Sequence, residues 1–225
     1  MIQDDATRWD LIHKKSYKTS ETHSKYAEEK EALFPRNSLV VELGAGRGAD
    51  AIYFLTKGHS VIALDISPFA LKLLQEKVKG LNLGKKLVVR QVDFGLQAIP
   101  IKDDSIDVVY SRISLNYFGA KQTTKTFKDI YRILKLGGMA FITMKSPDDS
   151  LEMQYLERSS TLYEPNVFIE GGMLRSRFTQ EQLKVILKEA EIPGFELDSY
   201  QEDLTSKGEE HNKTLFVNEI NFKKV

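Results

Sequence analysis

The residues best suited to chemistry in this 225-residue chain surround a glycine-rich turn. The apolar run Leu39-Val40-Val41 leads through Glu42 to Gly44-Ala45-Gly46, and a helix-forming stretch follows directly. Glycines let a chain turn tightly and leave no Cβ in the way of a bound molecule. Since the start of a helix also presents unpaired N–H groups and positive dipole, the pattern predicts a nucleotide-binding turn.

Polar residues follow three further apolar runs of the chain, at Asp65-Ile66, Asp93-Phe94 and Ser111-Arg112. Asp65 comes about 20 residues after the glycine turn, where an acid can bind both ribose hydroxyls of a nucleotide. The carboxyl ends of parallel strands meet at one edge of a sheet, and ligands bind there. We therefore expect all of these residues to line one cleft.

The elements that must position these residues alternate between strand and helix patterns. Such alternation predicts an α/β fold, here a Rossmann-like, doubly wound, mostly parallel seven-stranded sheet. The segments 195–204 and 214–222 are predicted to form a C-terminal antiparallel hairpin with its turn at 206–209. The helix before the fifth strand is expected to stop at Gly137-Gly138, and that strand is expected to cover Met139–Met144.

Composition narrows the class of protein. Lys and Arg together number 32, as do Asp and Glu, so the formal net charge is zero and a nucleic-acid partner is disfavoured relative to a small molecule. The chain has no cysteine, which excludes thiolate chemistry, and its acids lack matching metal ligands, so we predict no metal. No apolar run reaches membrane-spanning length, and we expect a cytoplasmic protein with no membrane partner. The sequence leaves the oligomeric state open.

Several motifs together resemble those of the class I S-adenosylmethionine-dependent methyltransferases. The resemblance covers residues 38–225 and rests on the order and spacing of these segments: Val41–Gly48, Leu64–Pro68, Val92–Phe94, Ser105–Ser111, Ile133–Gly138 and the closing hairpin. It implies S-adenosylmethionine as the cofactor. It also implies methyl transfer by in-line displacement to a nitrogen, oxygen or sulfur nucleophile.

The resemblance assigns cofactor-binding roles to particular residues. Glu42 would orient the methionine end, and Gly44, Ala45 and Gly46 would lie against the methionine and ribose portion. Asp65 would hold the ribose hydroxyls. Ile66 and Phe94 would lie beside the adenine, Asp93 would accept from the adenine amino group, and Ser111 would line the methionine moiety. Tyr17 is also assigned to the cofactor, because Trp9-Asp10 and Tyr17 are similar to the start of thiopurine and tellurite-resistance methyltransferases.

We expect one methyltransferase domain over residues 1–225. Its predicted parts are an N-terminal helical cap (1–36), a cofactor-binding core (38–145), a lid-like insertion (146–177) and a C-terminal helix and hairpin (178–225). The aromatic residues of the first segment are expected to pack either on the cleft or on the sheet edge. An insertion after the fifth strand is expected to lie over the cleft.

The acceptor is expected to be a small molecule, with an RNA or protein methyltransferase as the alternative. Candidate catalytic residues are His13, Arg112 and Tyr117, while Asn116, Arg175 and Arg177 are further candidates near the cleft. A nicotinamide-dependent oxidoreductase is a second alternative, since Tyr117 and Lys121 form a Tyr-x-x-x-Lys pair. Only one residue separates Gly44 from Gly46, however, where short-chain dehydrogenases have three. A cofactor-binding protein without turnover is a third alternative.

Overall fold

The computed structural model describes residues 5–16, 22–203 and 214–225. Its helices are α1 (Asp5–Ser16), α2 (Lys25–Glu31), α3 (Ala49–Thr56), α4 (Pro68–Gly80), α5 (Ala120–Ile133), α6 (Ser150–Ser159) and α7 (Gln180–Glu189). The strands are β1 (Leu39–Leu43), β2 (Ser60–Asp65), β3 (Leu87–Gln91), β4 (Ile106–Arg112), β5 (Leu134–Lys145), β6 (Thr161–Glu164), β7 (Val167–Glu170), β8 (Met173–Ser176), β9 (Glu196–Asp203) and β10 (Thr214–Lys223). Among the described residues, no helix combines the length and apolar character needed to cross a membrane.

Seven strands form one sheet in the order β3-β2-β1-β4-β5-β10-β9. The first five pair in parallel, while β10 runs antiparallel to both β5 and β9. This confirms the predicted fold class and the antiparallel pairing at the C-terminal end; the predicted turn at 206–209 lies outside the described residues. The strand order reverses between β1 and β4, and ligands bind at such a switch point in open α/β sheets.

The central strand β1 separates two apolar layers. Val41 and Leu43 face the layer covered by α5 and α7, whereas Val40 faces the layer covered by α2, α3 and α4. All three side chains are fully buried. Because both faces of the sheet are covered, the parallel strands appear in the sequence as continuous apolar runs.

The glycine pair after α5 does not end the helix as predicted. The helix ends at Ile133, and β5 begins immediately at Leu134 and contains both glycines. The pairing of β5 with β4 shifts register between Ile106 and Val108. A Cβ on Gly138 would lie 2.9 Å from the Ile106 carbonyl oxygen, so the glycine permits a bulge in which the two strands approach closely.

Residues 146–177 contain α6 and a three-stranded antiparallel sheet, β6-β7-β8. Glu152 of α6 accepts hydrogen bonds from Arg177 at 2.8 Å and from the Lys145 ammonium at 2.6 Å. Glu164 accepts a hydrogen bond of 2.5 Å from the Ala120 amide at the start of α5. The insertion is therefore joined to the core by charged and capping contacts at separate points.

Candidate active site

A cleft of about 170 Å³ opens at the carboxyl ends of β1, β2 and β4. The residues predicted for the site that line it are Gly44, Gly46, Asp65, Ile66, Asp93, Phe94, Arg112, Tyr117 and His13. They come from five separate parts of the chain: the parallel strands bring four of these to one edge of the sheet, and α1 supplies His13. Tyr17 lies outside the described residues.

The floor of the cleft depends on the absence of a side chain at two glycines. Gly44 has a φ of +68°, and a Cβ built on it would lie 2.2 Å from the Cβ of Ser114. Gly46 has a φ of +52°, and its Cβ would lie 3.3 Å from Cε1 of His13. A larger residue at Gly44 would collide with the loop after β4, so the glycine allows the two loops to pack together.

Asp65 is held at the carboxyl end of β2 by backbone donors. One carboxylate oxygen accepts from the Gly46 amide at 2.7 Å and the other from the Ser67 amide at 2.8 Å. Burial raises the pKa of Asp65. Hydrogen bonds from the Ser67 and Gly46 amides oppose that rise, and so does the electrostatic effect of the nearby His13. Since a carboxylate offers about four lone-pair sites, both oxygens retain capacity for further donors such as ribose hydroxyls.

The cleft also presents a second acid, Asp93, together with apolar residues. Asp93 accepts a hydrogen bond of 2.8 Å from the Gly95 amide, which holds its carboxylate in a tight turn. Phe94 is buried, and it lines the cleft together with Ile66. A planar ring fits between such apolar surfaces, and the adjacent carboxylate can accept from an amino group on the ring.

Three of the predicted cofactor-binding residues lie behind the lining of the cleft. Ala45, Glu42 and Ser111 are all buried. Ser111 donates to the Leu43 carbonyl oxygen at 3.3 Å and lies 2.5 Å from the hydroxyl of Ser114, which takes the lining position. The sequence analysis named Ser111 for this position, whereas the serine that lines the cleft is Ser114.

The Glu42 carboxyl group is buried next to other acids. Burial and the charges of Asp50 and Asp65 raise its pKa well above the ordinary value, and a hydrogen bond from the Ala51 amide only partly offsets this. Among the described residues, its Oε2 atom has no hydrogen-bond partner. A buried acceptor of this kind fits a site whose ligand or ordered water supplies a donor.

Helix α1 forms the roof of the cleft through Asp5, Trp9 and His13. Asp10 on the same helix anchors it, since its carboxylate accepts from the Ser67 hydroxyl at 2.5 Å and from the Phe69 amide at 3.2 Å. These contacts join α1 to the start of α4. Of the two expected places for the aromatic N-terminal residues, Trp9 therefore lies on the cleft.

The candidate catalytic residues differ in their surroundings. Arg112 donates to Glu202 of β9 at 2.6 Å, so its charge is already compensated. Tyr117 lies between the Trp9 ring, whose centroid is 4.8 Å away, and the Arg175 guanidinium, 5.2 Å from the Tyr117 ring centroid. Burial raises the pKa of Tyr117, although Arg175 opposes this, and the phenol therefore stays protonated at neutral pH.

Two further candidates have structural partners. The Asn116 amide group donates to the Ile113 carbonyl and accepts from the Lys145 amide. Arg177 is buried and makes a two-pronged contact with Glu152. Lining residues without a predicted site role are Asp5, Trp9, Val92, Ile113, Ser114 and Phe118. Most of these are apolar or aromatic, and nothing in their local sequence pattern distinguishes a cleft wall from a core position.

A family model described as a methyltransferase domain matches residues 40–138. This segment is a methyltransferase domain. The resemblance to the class I S-adenosylmethionine-dependent methyltransferases is thereby confirmed, and the family and fold imply S-adenosylmethionine as the cofactor.

Relatives of the methyltransferase domain differ in their substrates. A sterol 4-C-methyltransferase of Caenorhabditis elegans is 24% identical over 180 residues, which are 80% of this chain and 51% of that protein. A phosphoethanolamine N-methyltransferase of Plasmodium falciparum is 26% identical over 133 residues, covering 56% of this chain and 48% of that protein. The chain thus spans about half the length of these two curated relatives.

A solved structure of an S-adenosylmethionine-dependent methyltransferase from Methanosarcina mazei has the same fold. Its TM-score is 0.73 at 17% sequence identity, and the match covers 91% of this chain and 99% of that chain. The fold is therefore shared with a protein of this family, while the acceptor is not indicated by the fold.

Proposed function

We propose that this protein transfers a methyl group from S-adenosylmethionine to a small-molecule acceptor. The observation that carries the proposal is that the glycine turn, Asp65 and Asp93 meet around one cleft at the switch point of the sheet. Bound S-adenosylmethionine supplies a methyl group that its sulfonium activates. The contribution of the protein is then mainly proximity and alignment, which is worth about 7–11 kcal/mol of the barrier.

Each part of the cleft has a role in this proposal. The turn at Gly44, Ala45 and Gly46 lies against the methionine and ribose, Asp65 binds the ribose hydroxyls, and Asp93 accepts from the adenine amino group. Ile66 and Phe94 flank the adenine ring. Glu42 acts from behind the turn through backbone or water, and Ser114 lines the methionine end in front of Ser111.

The acceptor end of the cleft favours a small molecule. Trp9 and Tyr117 give it aromatic surface, and helix α1 covers it. The zero net charge and the small-molecule substrates in the names of the two relatives support the same class. Because Tyr117 stays protonated, it serves as a hydrogen-bond donor in the cleft.

Calorimetric titration with S-adenosylhomocysteine and with NAD tests the cofactor. We expect S-adenosylhomocysteine to bind and NAD not to bind. Asp65→Ala should weaken binding of S-adenosylhomocysteine at least about tenfold, since hydrogen bonds to a charged group contribute about 1.5–3 kcal/mol each. Asp65→Asn keeps the shape of the side chain, and the exposed Glu76→Ala on the following helix is the matched control.

Two results would contradict the proposal. Binding of NAD alone would make the protein an oxidoreductase, and an Asp65→Ala variant with unchanged affinity and melting temperature would remove Asp65 from the site. The acceptor class is tested by production of S-adenosylhomocysteine with amines, phenols and thiols. Methylation of bulk tRNA, rRNA or protein, with these small acceptors ignored, would replace the small-molecule proposal with its alternative.

A further inference from the structure

One residue of the cleft has a backbone conformation that its side chain disfavours. Ile113, directly after β4, has a φ of +56°. Among the described residues, the other non-glycine positions with positive φ are Asn37, Asn82, Asp104, Asn166 and Glu191. Asn and Asp tolerate this conformation, whereas a β-branched side chain in it is a genuine outlier. Ile113 is therefore strained.

Hydrogen bonds from the neighbouring strand hold this strained backbone in place. The Ile113 amide donates to the Thr143 carbonyl oxygen at 3.0 Å, and the Thr143 hydroxyl oxygen lies 3.2 Å from the same amide. The Ile113 carbonyl accepts from the Asn116 side chain at 2.9 Å, and that side chain accepts from the Lys145 amide at 2.8 Å. Such over-determination is what allows strain to persist at functional sites.

The sharp turn at Ile113 has a clear structural purpose. It folds Ser114 back so that its hydroxyl donates to the Leu43 carbonyl at 2.8 Å, in the space that Gly44 leaves open. A glycine at position 113 would make the same turn without steric cost. The turn therefore does not explain the isoleucine, and its side chain needs a separate reason.

The cleft supplies that reason. Ile113 lines it together with its neighbours Arg112 and Ser114, directly after the carboxyl end of β4. In the proposed function this end holds the methionine and sulfonium portion of the cofactor. We propose that Ile113 is a cofactor-contacting residue whose side chain forms the apolar wall at the sulfonium end. The wall keeps water away from the reacting methyl group, and the inference rests on the proposed function.

Three substitutions distinguish the effect of the Ile113 side chain on the cofactor from its effect on the backbone turn. Ile113→Gly removes both the Cβ and the strain, Ile113→Ala removes the apolar side chain but keeps a Cβ at the positive φ, and Ile113→Val keeps a β-branched side chain. The readouts are the melting temperature and calorimetric affinity for S-adenosylmethionine and S-adenosylhomocysteine. Glu191→Gly is the matched control, because Glu191 has a φ of +62° and is exposed outside the cleft.

We expect Ile113→Gly to melt above Ile113→Ala, the reverse of the usual order for these residues. Both variants should bind the two ligands about tenfold more weakly than the wild type, because losing a partly buried aliphatic contact weakens binding by about that factor. Ile113→Val should stay within about twofold of the wild type. Glu191→Gly should leave both affinities unchanged.

Each other result has a definite meaning. Wild-type affinity in Ile113→Gly would refute the proposed contact between the Ile113 side chain and the cofactor. A melting temperature of Ile113→Gly below that of Ile113→Ala would refute the claim that the backbone is strained at this position. Failure of the wild type to bind either ligand would refute the proposed function and the cofactor contact with it. The melting order would still test the strain in that case, so the two failures are distinguishable.

Discussion

Glu152 is predicted to stabilise the fold through a charge network that joins the insertion to the sheet. Its carboxylate accepts two hydrogen bonds of 2.8 Å from Arg177 and one of 2.6 Å from Lys145. Burial raises the pKa of Glu152, but the hydrogen bonds and charges of Arg177 and Lys145 outweigh it and lower that pKa to about 2. Arg177 is buried, with a side chain only 4% exposed, so it depends on this partner.

The size of the effect follows from the difference between the folded and unfolded pKa. The ordinary value is 4.5 and the folded value about 2, and each pKa unit corresponds to 1.36 kcal/mol, so the carboxylate contributes about 3 kcal/mol at neutral pH. Because the folded pKa is the lower one, the contribution is fully present above the unfolded pKa. It is lost as the pH falls toward the folded pKa.

Glu152→Gln should therefore lower the free energy of unfolding by about 3 kcal/mol at pH 7, or about 6–12 °C in melting temperature. At pH 3 the difference between wild type and variant should fall below half of its neutral value. Urea unfolding followed by circular dichroism measures both quantities. The matched control is Glu157→Gln, which lies exposed on the same helix and should change stability by less than about 0.5 kcal/mol.

Two outcomes would refute this reasoning. A loss below about 1 kcal/mol at pH 7 would mean that the pair contributes no more than an exposed ion pair. A loss that stays constant between pH 7 and pH 3 would mean that the carboxylate charge is not the source of the stabilisation. Glu152→Asp gives a further check, since the shorter side chain keeps the charge but cannot preserve the two-pronged contact with Arg177.

Two further predictions concern the core beneath the cleft. Asp50→Ala should lower the free energy of unfolding, measured with urea, by about 3 kcal/mol. The reason is that the buried Asp50 carboxylate accepts hydrogen bonds from Tyr110 at 2.7 Å and from the amide and hydroxyl of Ser24 at 2.6 and 2.9 Å. Tyr110→Phe should lower it less, and equal losses in the two variants would contradict this network. Gly44→Ala should lower the melting temperature and abolish S-adenosylhomocysteine binding, and Gly44→Ala with Ser114→Gly should recover stability in part. No recovery in the double variant would show that the collision with Ser114 is not the cause.

The parts of the fold that local patterns encode were predictable from the sequence. Continuous apolar runs indicated strands covered on both faces, and the glycine turn before α3 indicated the end of β1. Asp65 ends β2 and Asp93 comes two residues after β3, so their meeting at one edge required only the parallel order of the sheet. The predicted end of α5 was wrong. Glycines usually stop helices, but Gly138 lies within β5 and permits a bulge against β4, which is a contact between separate strands.

The composition of the cleft was less predictable, because it depends on contacts between distant segments. Arg112 and Glu202 are 90 residues apart, and no local pattern links them. Ser114 rather than Ser111 lines the cleft because Ile113 turns the chain through a conformation that its residue type disfavours. Propensity argues against such a conformation, so a strained functional position is where sequence reasoning is expected to fail.

The sequence by itself determined the class of fold, the edge of the sheet where the cleft lies and many of the residues that line it. These follow from hydrophobic periodicity and from residues adjacent to strand ends, which are properties of short segments. Only the tertiary structure decided that α1 roofs the cleft with Trp9 and His13, and that Ile113 forms part of its wall. Those contacts arise when separate elements pack, and packing energy between distant segments leaves no periodic signal in the chain.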